Sequence, residues 1–146
     1  MRRLFLISLS AMALSSCATP TQMMLDAEVK RLCAIDGGIK VYENVILSAD
    51  KFNEWGQVNF YKPNLGEGAL GDEYLFKSET TYYKKGNPEL WRSHYQVIRR
   101  VDGRVLGESI GYSRRGGDVS GPWHDSSYGC PENRGDIPLL MKVFHK

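Results

Sequence analysis

The stretch that decides the fold is Trp91-Arg92-Ser93-His94-Tyr95-Gln96-Val97-Ile98-Arg99-Arg100-Val101-Asp102-Gly103-Arg104-Val105-Leu106-Gly107-Glu108-Ser109-Ile110-Gly111-Tyr112-Ser113-Arg114-Arg115. Two runs rich in β-branched and aromatic residues flank Asp102-Gly103, a pair suited to a tight reversal between antiparallel strands. A two-residue turn there sets Val101 opposite Arg104. One face then carries Trp91, Ser93, Tyr95, Val97 and Arg99 opposite Arg114, Tyr112, Ile110, Glu108 and Leu106. This is the expected core face, with a diagonal Arg99–Glu108 pair. The other face sets Arg92, His94, Gln96, Ile98 and Arg100 opposite Ser113, Gly111, Ser109, Gly107 and Val105, and is flat and polar enough to meet water or a partner.

Working outward, Tyr74 to Lys85 is rich in aromatics and threonine and suits a strand, closed by Gly86-Asn87-Pro88. Val58 to Lys62 reads as a shorter strand, and Asn64 to Gly71, with three glycines, as a loop. Residues 39–47 alternate apolar and polar, with the apolar face broken by Glu43, and read as one strand. Before them the period changes: Leu25, Val29, Leu32 and Cys33 share one face of a helix expected from Thr21 to Ile35, stopped by Gly37-Gly38. After Arg115 a long glycine- and proline-bearing stretch runs to Gly135, of a length that in a compact domain is functional or pinned. Ile137 to Phe144 reads as a last strand. The expectation is an α+β domain, one N-terminal helix packed on an antiparallel sheet of five or six strands.

The chain has 146 residues, 42% of them hydrophobic, which fits one globular domain and excludes wholesale disorder. Its formal charge of +2 gives no support to a polybasic nucleic-acid binder. Charge is unevenly placed, however. Residues 84–115 hold eight basic and three acidic side chains, whereas residues 17–83 hold six basic and ten acidic. The hairpin is thus locally positive, and Arg92, Arg100, Arg114 and Arg115, followed by Trp123 and His124, are the candidate binding residues for carboxylates or phosphates of envelope polymers or lipids. The opposing possibility is that these arginines pair internally with the acidic half.

Met1-Arg2-Arg3 followed by the apolar run Leu4 to Leu14 has the charge order of a secretory signal and is too short to span a bilayer. Leu14-Ser15-Ser16-Cys17 resembles the lipobox of bacterial lipoproteins. The resemblance implies cleavage before Cys17, a diacylglycerol on its thiol and a further fatty acid, palmitate for example, on its amine, which together hold the protein stably on a membrane. Ala18 after the cysteine favours the outer membrane by the same resemblance. Residues 1–16 are then the signal peptide, 17–22 a tether and 23–146 the domain, in the periplasm-facing envelope. Val101 to Ser109 and Tyr112 to Asp118 resemble small lipoproteins of Gram-negative bacteria, which implies location and no catalytic residue. The expected partners are the membrane through the anchor, and a cell-wall polymer, lipopolysaccharide or another envelope protein, with no nucleic acid. Without Arg2 and Arg3 the mature chain carries seventeen side chains of each sign.

Cys33 and Cys130 remain, an even pair in an oxidising compartment, which reads first as a disulfide closing most of the domain. Two free thiols, or a zinc site completed by His124 and Asp125, are the alternatives; neither cysteine has the near-neighbour ligand usual for zinc. His124-Asp125-Ser126 holds the residue types of a hydrolase triad, yet consecutive side chains do not form the required line, no G-x-S-x-G nucleophile elbow is expected, and a turn capped by Asp125 and the serines fits better. A small envelope hydrolase, or an inhibitor of one, built on His124 and Asp125 is the alternative function. Asp72-Glu73 reads as a solvated loop edge. Gly66-x-Gly68 and Arg115-Gly116-Gly117 lack the strand and helix around a phosphate-binding loop, so no cofactor and no metal are expected. Replacing Cys17 by serine should move the protein from the membrane to the soluble fraction; unchanged membrane fractionation would refute the lipobox reading.

Overall fold

Thr19 starts the first helix. In the computed structural model, which describes residues 18–122 and 124–146, the Thr19 hydroxyl accepts the Gln22 N–H at 3.1 Å while the Gln22 side chain accepts the Thr19 N–H at 2.8 Å. This reciprocal cap satisfies two orphan donors. Pro20 takes the first helical position, where its missing N–H costs nothing, and α1 spans Pro20–Asp36. Residues 20–22, expected in the tether, are therefore its first turn. Cys17 and Trp123, both singled out from the sequence, lie outside the described residues.

The strands are β1 Gly38–Val41, β2 Val45–Ile46, β3 Tyr74–Lys84, β4 Glu89–Arg99, β5 Val105–Arg115, β6 Ser127–Cys130 and β7 Phe144–His145, with a second helix α2, Asp136–Val143, before the last. Five of them form one antiparallel sheet in the order β1-β5-β4-β3, with β6 beside β5, while β2 and β7 pair in parallel. The fold is α+β, with the N-terminal helix packed on an antiparallel five-stranded sheet.

The hairpin forms, but in a register one residue away from the expected one. Its loop is Arg100–Gly103 rather than Asp102-Gly103 alone: Arg99 and Arg104 close it, with the Arg99 N–H donating to the Arg104 carbonyl at 2.8 Å. Gly103 sits at φ +69°, which glycine adopts without strain, and the Asp102 carboxylate accepts the Arg104 N–H at 3.1 Å. Leu106 is an extra residue in β5, because Val97 pairs with Gly107 and Ile98 with Val105. Its carbonyl instead accepts the N–H groups of Tyr42 and Glu43, at 2.8 and 3.0 Å. Since side chains alternate with period two, the slip moves β5 to the opposite face relative to β4. Gly107, Ser109, Gly111 and Ser113 share a face with Val97, Tyr95, Ser93 and Trp91; Glu108, Ile110 and Tyr112 share the other with Gln96, His94 and Arg92.

Both faces consequently carry a core. On the face of Ile110 and Tyr112, α1 sets Val29 into a cluster with Leu90, flanked by Leu25, Leu32 and Tyr128. On the small-residue face, Leu139, Leu140 and Val143 of α2 join Phe76, Val97, Leu106 and Phe144. The segment expected as a last strand is helical because Leu139, Leu140, Val143 and Phe144 recur at helical spacing and all bury, while Met141 and Lys142 remain exposed. Pro138 falls in the first turn, where proline is tolerated.

Two further expectations change. The strand 39–47 is cut into β1 and β2 where Tyr42 and Glu43 both turn onto the Leu106 carbonyl. Residues 58–62 form no strand beyond a single bridge between Phe52 and Val58. The Asn53 side chain accepts the Trp55 and Gln57 N–H groups at 3.0 and 2.9 Å and folds that segment into a turn. Short 3₁₀ turns follow at Pro63–Gly68. Phe60 and Tyr61 still reach the core, edge-on to Phe144 and Phe76 at 5.8 and 5.4 Å between ring centres.

The Cys33–Cys130 disulfide joins α1 to β6 across 97 residues, with Cα atoms 6.2 Å apart. A loop of that size corresponds to about 4.7 kcal/mol of denatured-state restriction in the chain-entropy description. The close seat of α2 depends on Gly107, where a Cβ would stand 2.7 Å from a Val143 methyl and 3.1 Å from the Lys40 carbonyl. Gly107→Ala should therefore cost about 1–3 kcal/mol through overpacking, read as a lower urea midpoint; an unchanged midpoint would show that α2 is not held at that distance.

Candidate functional site

Four of the six hairpin arginines, Arg92, Arg99, Arg104 and Arg114, pair with Asp26, Asp36 or Glu43 of the acidic N-terminal half. Arg114 is 3% exposed. Its Nε and Nη2 grip both oxygens of Asp26 at 2.7 and 3.2 Å, and its Nη1 donates to the Gly116 carbonyl and to Ser126. Such a guanidinium braces the structure from within and does not meet a ligand at the surface. Arg92 is partly buried, 3.5 Å from Asp36, whose other oxygen accepts the Tyr112 hydroxyl at 2.7 Å. Arg99 pairs with Glu43 and with Asp102, the latter at 3.1 Å, and not with Glu108 as the expected register implied. Arg100 is exposed and donates to the Tyr74 and Glu67 carbonyls, both at 3.3 Å. Arg115 and His124 are exposed, as is Asp125, and none of their side chains has a hydrogen-bond or ion-pair partner among the described residues. These nominated residues do not converge on one site. No hydrogen bond or ion pair joins the His124 ring to a second titratable group among the described residues, the arrangement a catalytic reading looks for.

The long stretch after β5 is pinned at its ends. Thr19 donates to the Gly117 carbonyl at 2.8 Å, and the buried Gln22 amide donates to Asp118 at 2.7 Å and to the Ser126 hydroxyl at 2.9 Å. Asn87 accepts the Gly117 N–H at 2.6 Å. The Ser126 N–H, with help from the Ser126 and Gln22 side chains, holds the Asp118 carboxyl below its usual range. The N-terminus of α1, Asn87 of the β3–β4 turn, and Gly117, Asp118 and Ser126 thus meet at one end of the molecule.

Two arrangements escaped the sequence reading. The first lies on the part of the α1-side sheet face away from the helix. Glu108 accepts the Tyr42 hydroxyl at 2.5 Å, meets His94 Nε2 at 2.9 Å and has Lys40 at 4.0 Å. Burial raises the Glu108 pKa, but the bonds from Tyr42 and His94 and the nearby charges outweigh it and leave the carboxyl below its usual value. Only the true register, which pairs Gln96 with Glu108 and His94 with Ile110, brings His94 to this carboxylate. The pentapeptide Gly107-Glu108-Ser109-Ile110-Gly111 does have G-x-S-x-G spacing, where no nucleophile elbow was expected. It lies within β5, with Ser109 fully buried and its hydroxyl accepting the Gly135 N–H at 3.1 Å. A nucleophile elbow needs an exposed serine at a strand-to-helix turn, so Ser109 is a support for α2.

The second arrangement is a groove on the small-residue face. One cavity of about 550 Å³ is lined by Tyr61, Glu67, Ser78, Tyr95 and Asp136 among others. A second of about 320 Å³ is lined by Ser93, Tyr95, Gly111, Glu132, Arg134 and Gly135, so that Tyr95 belongs to both. Tyr61 donates to Asp136 at 2.5 Å, and burial together with that bond raises its pKa. The smaller cavity opens where β5 offers only Gly111, while the larger is walled by β3, β4, Asp136 and the 3₁₀ segment at Pro63–Gly68. Sequence patterning shows that glycine, but its face depends on the register.

Among the described residues no group of three metal-ligating side chains is gathered, and no helix is long and apolar enough to cross a membrane. Compared with known proteins, the chain matches no family model, no curated protein and no solved structure.

The Glu108 cluster gives a test with a definite sign. Because its folded pKa is lowered, its contribution to stability is present above the ordinary glutamate value and lost as pH falls through the folded one. Glu108→Gln should cost about 1.5–3 kcal/mol at pH 7, the scale of charge-assisted bonds, and little at a pH where both forms are neutral. Urea unfolding at both pH values checks this; a gap that persists in acid would assign the loss to shape rather than charge.

Proposed function

We propose that the chain is a lipid-anchored, non-catalytic binding module of the cell envelope, periplasm-facing and on the outer membrane, that holds a cell-wall polymer in the groove shared by Tyr61, Tyr95 and Arg134. The Leu14 to Cys17 motif supports the anchor. The cap at Thr19 supports a short one, since Ala18 alone separates Cys17 from the ordered helix start. Two residues span at most about 7 Å, so the α1 end and residues 116–126 lie nearest the lipid.

The groove carries the binding reading. Its lining combines tyrosines with serine hydroxyls, carboxylates and one guanidinium, which suits a hydroxyl-rich polymer bearing charged groups better than an apolar small molecule. The hairpin arginines contribute less than their number suggested, because Asp26, Asp36, Glu43 and Asp102 already hold four of them. Exposure of both His124 and Asp125 favours binding over hydrolysis.

The test is sedimentation of the full lipidated chain in detergent with insoluble cell-wall polymer, and separately with lipopolysaccharide. Co-sedimentation with the wall polymer, reduced at least fivefold by Tyr95→Ala in a variant of unchanged thermal midpoint, is expected. Binding to lipopolysaccharide alone, or equal binding by the variant, would overturn the assignment.

A further inference from the structure

Within that groove, and resting on the binding reading above, we infer that Arg134 is the seat of a ligand carboxylate. Arg134 is partly buried. Every other arginine withdrawn from solvent among the described residues meets a carboxylate: Arg92 meets Asp36, Arg99 meets Glu43, and Arg114 meets Asp26. The Arg134 side chain makes a single hydrogen bond, from Nη1 to the Pro131 carbonyl at 3.0 Å, and no ion pair. A guanidinium withdrawn from solvent gains from a bonded counter-charge, and Arg134 has no such bond among the described residues.

Its geometry is fixed by the protein. The stem lies on Gly111, where a Cβ would come within 2.5 Å of Cδ, and the guanidinium lies on Gly129, where a Cβ would come within 2.6 Å of Cζ. Both glycines are needed for the side chain to rest flat on β5 and β6. The Nε–Nη2 edge, the edge with which Arg114 grips Asp26, has no hydrogen-bond partner among the described residues. A guanidinium edge presents two parallel N–H groups matched to the two oxygens of a carboxylate.

The surroundings narrow the ligand. Ser93 and Tyr95 stand in the same cavity, as does Glu132. The Glu132 carboxylate disfavours a dianion such as phosphate and rewards a cation beside the bound carboxylate. The chemistry that fits is an amino-acid-like end: one carboxylate, with an amine or amide nearby, of the kind a peptide stem on a polymer presents.

The test is a titration of the ¹⁵N-labelled protein with alanine, N-acetylalanine, alanine methyl ester and inorganic phosphate, followed at the Gly111 and Gly129 amides and Arg134 Nε. The two carboxylates should give saturable shifts in the millimolar range, with the ester at least tenfold weaker. Arg134→Met keeps the apolar stem and should lose the carboxylate response at least tenfold while folding normally; Arg134→Lys, which keeps charge without the edge, should lose most of it. Equal response to ester and acid, tighter binding of phosphate, or an undiminished Arg134→Met response would each overturn the proposal. Should Arg134→Met fail to fold, the ester comparison on the native protein decides. Carboxylate titration without polymer sedimentation would defeat only the wall-polymer reading. Polymer sedimentation with no response at Arg134 would defeat only this one.

Discussion

The alternation along β5 is the constraint on which the molecule depends. From Gly107 to Arg114 the chain reads small, large, small, large: glycine or serine at 107, 109, 111 and 113, with Glu108, Ile110, Tyr112 and Arg114 between. A strand turns these two sets to opposite faces. On the small side, backbone lies bare enough for α2 to seat Val143 over Gly107 and for Arg134 to lie on Gly111. On the large side, Ile110 and Tyr112 build the core under α1, and Arg114 reaches up to Asp26. One strand thus sets two distances, a close one and an ordinary one, and the groove is the part of the close side that α2 does not cover.

Charge follows the same geometry. Counted along the chain, the hairpin is strongly positive and the N-terminal half negative, a pattern that invites a binding surface. In three dimensions the halves are layered, so Asp26 and Asp36 of α1 and Glu43 after β1 stand over the hairpin's cations. The most buried of these contacts, Arg114 on Asp26, has almost its full guanidinium hydrogen-bonded, the condition under which a buried pair is tolerated. Segregated charge in a sequence therefore signals internal pairing as readily as it signals a partner. What separates the cases is whether each buried cation finds its anion, and Arg134 does not find one within the described protein.

Much of the architecture was legible in the residues: the helix with its glycine stop, the strand at 74–84, the hairpin, and a disulfide joining the helix to the far end of the chain. What was not legible turns on single residues. Asp102-Gly103 marks the reversal but does not set its length, and Leu106 inserts one more residue, so the register slips and the faces of β5 exchange. The run Ile137 to Phe144 is almost continuously apolar, so the helical spacing of Leu139, Leu140, Val143 and Phe144 shows only once burial separates them from the exposed Met141. The His94–Glu108 contact and the groove inherit this ambiguity, because both are properties of a register rather than of a motif. Arg134 stood alone in a loop with nothing in its neighbours to single it out, since Gly111 and Gly129, the residues that receive it, lie 23 and five positions away.

Given a lipid on Cys17, α1 is the member that would fix how the groove is presented. The helix is attached at its start through Thr19 and Gln22 to residues 117–126, near its middle through Asp26 to Arg114, and towards its end through Cys33 to Cys130 and Asp36 to Tyr112. Seventeen residues at about 1.5 Å each make a helix of about 25 Å, and with Ala18 alone before its cap a lipid on Cys17 would hold the helix start within about 7 Å. Residues 116–126 are then committed twice, to the helix start and to the lipid side, which leaves them poorly placed to meet a polymer. The groove lies on the opposite face of the sheet from α1, where neither the helix nor the anchor crowds it. A binding surface proposed on that face would need no conformational release from the membrane, and its selectivity would rest on Arg134, which lies flat on Gly111 of β5 and Gly129 of β6.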